Sequence, residues 1–198
     1  MPAPSSPIPD DMLLLCVDMQ PVFVNAIAGG ETVRRRCEFA VAAAIGIGVP
    51  VAFTEQVPHK LGNTAPELLE LAPQAPVWSK NTFSAFGDEG IRDALLRQRD
   101  VQHILLCGIE TPICVYQTAI SALAEEIQVT VLSDAVGARR EHDARACIDA
   151  LARSGAHVLP AETVFYALLH DVSHPFFRAF TQLVKSHTTD FASRNPKV

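Results

Sequence analysis

Positive charge is in short supply in this chain. Sixteen Lys and Arg stand against 22 Asp and Glu, giving a formal net charge of -6 and a pI near 5.6. Recognition of a phosphate backbone needs clustered Lys and Arg, so no nucleic-acid partner is expected. The one dense basic cluster, Arg34-Arg35-Arg36, opens a helix-like segment and reads as a solvated helix face. No apolar run approaches the ~20 residues of a membrane span, so no membrane partner is expected. The start, MPAPSSPIPDD, has neither a basic stretch nor an apolar one. It does not read as a signal peptide, and the expected compartment is the cytoplasm.

Other signatures are missing as well. The five cysteines (16, 37, 107, 114 and 147) are odd in number and contain no CxxC pair, so their spacing indicates neither a disulfide framework nor a zinc site. Cys16 and Cys107 sit inside apolar runs and read as buried small hydrophobes. The seven histidines form no HxH or HExxH set, and there is no GxSxG or P-loop. Gly46-Ile47-Gly48 lacks the third glycine of a dinucleotide fingerprint and reads as the end of a helix. Neither a metal nor another cofactor is expected.

What is present is a chain of 198 residues, 48% hydrophobic and 19% charged, the composition of a globular α/β protein. A single domain spanning 1–198 is expected, with residues 1–11 as a flexible Pro/Ser-rich segment. Six short apolar runs read as strands: 12–18, 49–55, 75–80, 101–108, 127–134 and 156–161. Helical patterns fill 33–48, 87–98, 111–126 and 142–155 between them, and the region from Glu162 onward reads as helical and packed outside. Near-continuous apolar strands alternating with helices imply a parallel sheet covered on both faces, a three-layer α/β/α sandwich. In such sheets ligands bind at the carboxyl ends of the strands, where strand order reverses.

Three residues stand at such positions. Asp18 ends the first strand, where an Asp is a candidate base and equally a loop cap. Lys80 follows the third strand, where a Lys is ordinarily solvated. Cys114 lies in GIETPICV, where Thr111 suits an N-cap and Pro112 the first helical position. That puts Cys114 in the first helical turn, whose free N–H groups favour a thiolate. It is expected to be the fastest-alkylating thiol; a buried structural cysteine is the alternative, which suits the other four better. With a strand order of 3-2-1-4-5-6, Asp18 would lie beside the turn holding Cys114. Lys80 would then stand two strands away, roughly 9–10 Å at ~4.8 Å per strand.

The segments VDMQ (17–20), SK (79–80) and GIETPICVYQTA (108–119) together resemble the three signature segments of the isochorismatase-like hydrolases. TEQVPHKLGNTAPEL (54–68), KNTFSAFG (80–87) and HPFFRAF (174–180) resemble the branch of isochorismatase-domain-containing proteins. The resemblance runs from Met12 to about Lys185. It implies a six-stranded parallel sheet of order 3-2-1-4-5-6 and a catalytic triad of Asp18, Lys80 and Cys114. It also implies an oxyanion hole from the backbone N–H groups of Glu110 and Cys114, a cis Ile109–Glu110 peptide, and assembly into a homo-oligomer. Nicotinamidases of the superfamily carry an Asp-x-His metal motif after the second strand; this chain has TEQVPH (54–59) there, with His59 alone. Isochorismatases proper lack the nucleophilic cysteine, so Cys114 points to acyl chemistry.

The implied activity is hydrolysis of a C–N bond, in an amide or ureide-like small molecule, through a Cys114 thioester. A thiol esterase or other acyl hydrolase on the same triad, and a non-catalytic interaction or regulatory protein on this fold, are the alternatives. Phe23, Gln56, Phe83, Phe86 and Ile113 flank the triad segments and are the pocket candidates, for a small and weakly charged substrate.

Overall fold

The computed structural model describes residues 11–98 and 100–192. Six parallel strands form one sheet: β1 (Met12–Val17), β2 (Val51–Gln56), β3 (Val77–Lys80), β4 (His103–Ile109), β5 (Gln128–Gly137) and β6 (His157–Leu159). Their order is β3-β2-β1-β4-β5-β6, so β1 and β4 are neighbours at the point where the winding reverses. The flexible segment expected at 1–11 lies outside the described residues except for Asp11. Its carbonyl accepts the N–H groups of Gln102 and His103, so the start of β1 is tied to the start of β4.

The alternation of side chains along each strand divides the core in two. Leu14 and Cys16 of β1, with Leu105 and Cys107 of β4, join one cluster; Leu13, Leu15 and Val17, with Ile104 and Leu106, join the other. Both faces of the central strands are therefore dry, which is why they read as unbroken apolar runs. Each fully buried Leu or Ile contributes roughly 1.5–3 kcal/mol.

The first face is covered by α1 (Pro21–Val24), α2 (Gly30–Ile47), α4 (Pro66–Leu71), α8 (Ala161–Leu169) and α9 (Phe177–Ala192). A four-residue helix, α3 (Pro58–Leu61), lies between β2 and α4. The region after Glu162 does not merely pack outside, as its sequence position implied. Phe165 of α8 and Phe180 of α9 are fully buried and pack edge-on and tilted against Phe39 of α2. The basic cluster is also corrected. Arg34 and Arg35 pair with Glu31 at the surface, but Arg36 is buried. Its guanidinium donates two hydrogen bonds to Asp134 Oδ2, at 2.9 and 2.5 Å, and lies 4.3 Å over the Phe39 ring. Asp134, with Glu162 at 3.7 Å as a second carboxylate, both far away in the chain, makes that burial tolerable.

The second face is covered by α5 (Glu89–Asp93), α6 (Tyr116–Ala124) and α7 (Glu141–Arg153). The helices expected at 87–98 and 111–126 are each broken: Ala94–Gln98 and Thr111–Val115 are single π turns. Helix α2 ends at Gly48, in the left-handed conformation (φ 91°), whose N–H bonds back to Ala44 and Ile45; this is the role read for the glycine pair, but Gly46 lies inside the helix, where its missing side chain makes room for Phe176. β5 runs three residues past its expected end. A register shift between Leu106 and Gly108 lets Val136 and Gly137 pair with Gly108 and Ile109.

At Gly108 the β4 backbone lies tight against Val17 of β1. The Gly108 φ is +115°, and a β-carbon there would lie 2.1 Å from the Val17 carbonyl oxygen. Gly108→Ala is expected to destabilise the fold by on the order of 3 kcal/mol, read as a lowered urea midpoint. A midpoint unchanged from wild type would contradict this packing.

Candidate functional site

The carboxyl ends of β1, β2, β3 and β4 converge on one place. Asp18 follows β1 directly, with a left-handed φ of 50°, and its N–H donates to Thr54 of β2. A non-glycine residue in this region carries backbone strain, which Asp tolerates better than most. The Asp18 side chain is 1% exposed and meets the fully buried Lys80 ammonium at 2.6 Å.

Every polar atom of this pair has a partner. Thr54 Oγ1 donates to Asp18 Oδ1 at 2.7 Å. Lys80 Nζ donates to Asp18 Oδ2 at 2.6 Å, to Gln56 Oε1 at 2.7 Å and to the Thr82 carbonyl at 3.2 Å, which uses all three ammonium hydrogens. Gln56 is oriented in turn, because its Nε2 donates to the Asn81 carbonyl. Its backbone N–H donates to Gln20 Oε1, and Gln20 Nε2 donates to the Gln56 and Gly62 carbonyls. Gln20 of VDMQ thus sews the loop after β1 to the loop after β2. Thr54 and Gln20 were missed as site residues; their signal was position, each within three residues of a strand's carboxyl end.

Cys114 lies above the pair, in the π turn that follows β4. The Ile109–Glu110 peptide before it is cis. Glu110, not Thr111, occupies the N-cap position; the Thr111 hydroxyl instead donates to the Gly137 carbonyl at 3.1 Å. The expectation of a resting thiolate is corrected. Burial, and next the Asp18 carboxylate, push the Cys114 thiol up to about 12, against the opposing pull of Lys80. Cys114 is only 7% exposed, and desolvation outweighs the helix-end effect. Cys16, Cys37 and Cys107 are fully buried and Cys147 is half-buried, so the argument for Cys114 as the fastest-alkylating thiol loses its thiolate.

Above the thiol opens a cavity of about 340 Å³. Phe23, Gln56, Phe83 and Ile113 line it together with Asp18, Glu110 and Cys114. Phe86 does not. Ser84 caps the short turn Ala85–Gly87 by accepting from the Phe86 N–H, and Thr118 of α6 accepts from the Ala85 N–H. Tied down in this way, the Phe86 ring packs into the second core cluster. Val22, Ala26, Ile109 and Arg139 also line the cavity and were missed. Val22 lies in α1 and Ala26 in the turn just after it, and Arg139 lies just past the carboxyl end of β5. Arg139 is tied to the Glu110 carboxylate at 2.9 Å.

A thiol held near 12 keeps its proton through the neutral range. Titration from about pH 6 to about pH 9, followed by thiolate absorbance near ~240 nm, is expected to show no step that disappears in Cys114→Ala. A Cys114-dependent step centred near neutrality would overturn this reading of the site.

The isochorismatase domain profile matches residues 12–163. A secreted isochorismatase effector, Isc1, of Phytophthora sojae (strain P6497) is 33% identical over 183 residues, covering 91% of this chain and 87% of that protein. Isochorismatase domain-containing protein 2 of Bos taurus is 31% identical over 201 residues, covering 98% and 96%. Among solved structures, the MAR1 ribonuclease of Caenorhabditis elegans superposes with a TM-score of 0.82 at 29% identity, covering 89% and 90%. With the profile spanning most of the chain, and the strand order and switch-point site already described, the protein belongs to the isochorismatase family.

Proposed function

We propose that this family hydrolase cleaves a C–N bond of a small amide or ureide through a Cys114 thioester. The observation that carries the proposal is the buried Asp18–Lys80 pair beneath a thiol at the floor of a small, mainly apolar cavity. Cys114 and Asp18 line the same cavity, and the charges of Asp18 and Lys80 both act on the thiol, so in this reading Asp18 receives the thiol proton as the sulfur attacks a carbonyl. The Lys80 ammonium offsets the charge that develops on sulfur. The backbone N–H groups of Glu110 and Cys114 are the proposed donors to the oxyanion. Asp18 then returns the proton to the leaving nitrogen, and a water activated by the same carboxylate releases the acid.

The lining supports the substrate class. Among the described residues no histidine borders the cavity, and the one cation lining it, Arg139, is paired with Glu110, which favours a small molecule of low charge. The ribonuclease name attached to one solved relative does not extend to this chain on charge grounds. A phosphate chain would meet a protein of net charge -6 with no free cation in the cavity lining. Val22 and Phe83 at the mouth are 47% and 60% exposed, and such apolar side chains support association of copies of the chain.

Hydrolysis of at least one compound in a panel of small amides, ureides and esters is expected. Cys114→Ala, Asp18→Asn and Lys80→Met should each lower kcat/KM by about 10³-fold or more. Rapid quenching and intact-mass measurement should catch an acyl adduct on Cys114. Turnover that survives Cys114→Ala would sink the thioester mechanism, and preferred cleavage of esters would favour the acyl-hydrolase alternative.

A further inference from the structure

Three of the five cysteines meet away from the cavity. Cys16 of β1 and Cys107 of β4 are direct partners in the parallel register, and Cys37 of α2 packs over them. All three are fully buried, and their sulfurs lie within 4.8 Å of one another. Cys37 also donates to the Ala135 carbonyl at 3.3 Å. Nothing in the spacing along the chain announces this, because the residues come from three separate elements.

We propose that Cys16, Cys37 and Cys107 form a binding site for a soft, closed-shell metal ion of the copper(I) class. The donor set selects the kind of ion: three sulfurs with no carboxylate or imidazole among them disfavour magnesium, calcium and manganese. Coordination number selects further. A structural zinc site takes four ligands, whereas copper(I) is satisfied by two or three thiolates, and the cluster offers three among the described residues. The size also fits. An ion about 2.3 Å from each of three sulfurs places them about 4.0 Å apart, a contraction of less than ~1 Å from the outer limit observed.

Burial and the neighbouring sulfurs hold these thiols well above their ordinary range, so the empty site carries neutral S–H groups. Loading breaks two S–H bonds and forms two Cu–S bonds, with the third sulfur as a thiol ligand. Two protons leave to solvent, no electron moves, and the loaded site keeps a single negative charge. The ion would join β1, β4 and α2 where the sheet's winding reverses. The site takes no part in the proposed hydrolysis. The contrasting view, three small side chains filling a dry core, predicts no retained metal.

The test uses the full chain, reduced and without oxygen, equilibrated with copper(I) supplied as its bicinchoninate complex. In Cys114→Ala/Cys147→Ala, which keeps only the three cluster thiols, one copper per chain is expected after gel filtration. Sulfur-to-copper absorption below about 300 nm should appear while the near-ultraviolet circular dichroism stays native. Adding Cys37→Ala or Cys107→Ala should weaken retention by about 100-fold. X-ray absorption of the loaded double variant gives a readout that does not depend on those further variants folding; it should show sulfur neighbours alone at about 2.2–2.3 Å. The proposal is overturned by no copper in the double variant, by retention unchanged without Cys37 or Cys107, by nitrogen or oxygen ligation, or by uptake only with loss of the native signal.

Discussion

The buried ion pair of Asp18 and Lys80 is the constraint around which the rest of the site is arranged. Taking a carboxylate and an ammonium out of water costs several kcal/mol per ion, and their attraction repays it only when the remaining lone pairs and hydrogens are satisfied. Here they are satisfied: Thr54 takes one Asp18 oxygen, and Gln56 and the Thr82 carbonyl take the other two ammonium hydrogens. Gln56 can do so because the Asn81 carbonyl accepts from its Nε2 and fixes the amide's orientation, while Gln20 holds the Gln56 backbone. The polar network is therefore a consequence of the pair, and it ties the loops after β1, β2 and β3 into one rigid floor.

That floor has to lie at the switch point for a geometric reason. β1 and β4 are hydrogen-bonded neighbours whose following segments depart to opposite faces of the sheet, α1 and α2 to one and α6 to the other. The divergence leaves a crevice above their carboxyl ends. Asp18 turns into it from β1, and Cys114 enters it from the segment after β4. Close approach of the two strands, made possible by the missing side chain at Gly108, keeps the thiol over the carboxylate. Lys80 reaches the same point from two strands away because its chain is long and β3 is short.

Much of this was legible in the sequence. Unbroken apolar runs such as MLLLCV and HILLCGI announced strands buried on both faces, and the polar residues that ended them marked the site. Asp18 directly follows such a run, Lys80 ends the short and more exposed β3, and Cys114 lies in the turn after β4; the three signature segments supply the strand order that unites them. What could not be read depends on partners remote in the chain. Arg36 looked solvated because Asp134 is far away in sequence, and Phe86 looked like a pocket residue because the tie from its neighbour Ala85 to Thr118, which helps turn its ring into the core, also spans a long stretch of chain. The meeting of Cys16, Cys37 and Cys107 follows from the β1–β4 register and the seating of α2, neither of which leaves a local mark.

The ionisation of Cys114 was misread for a related reason. A helix-end argument counts only the local backbone, whereas the thiol responds to everything around it. Its position in the first turn and the nearby Lys80 both favour the thiolate, yet burial and the Asp18 charge win by enough to hold the proton to about 12. At neutral pH a thiol so placed is ionised in about one molecule in 10⁵. A mechanism that waits for the free thiolate would therefore be slow. The same carboxylate that suppresses ionisation is also the group best placed to take the proton, and it does so with least cost when charge moves onward from sulfur to a substrate carbonyl. In the proposed reaction Asp18 thus has two linked effects: it keeps the resting thiol protonated, and it lets the nucleophile form only as the new bond does.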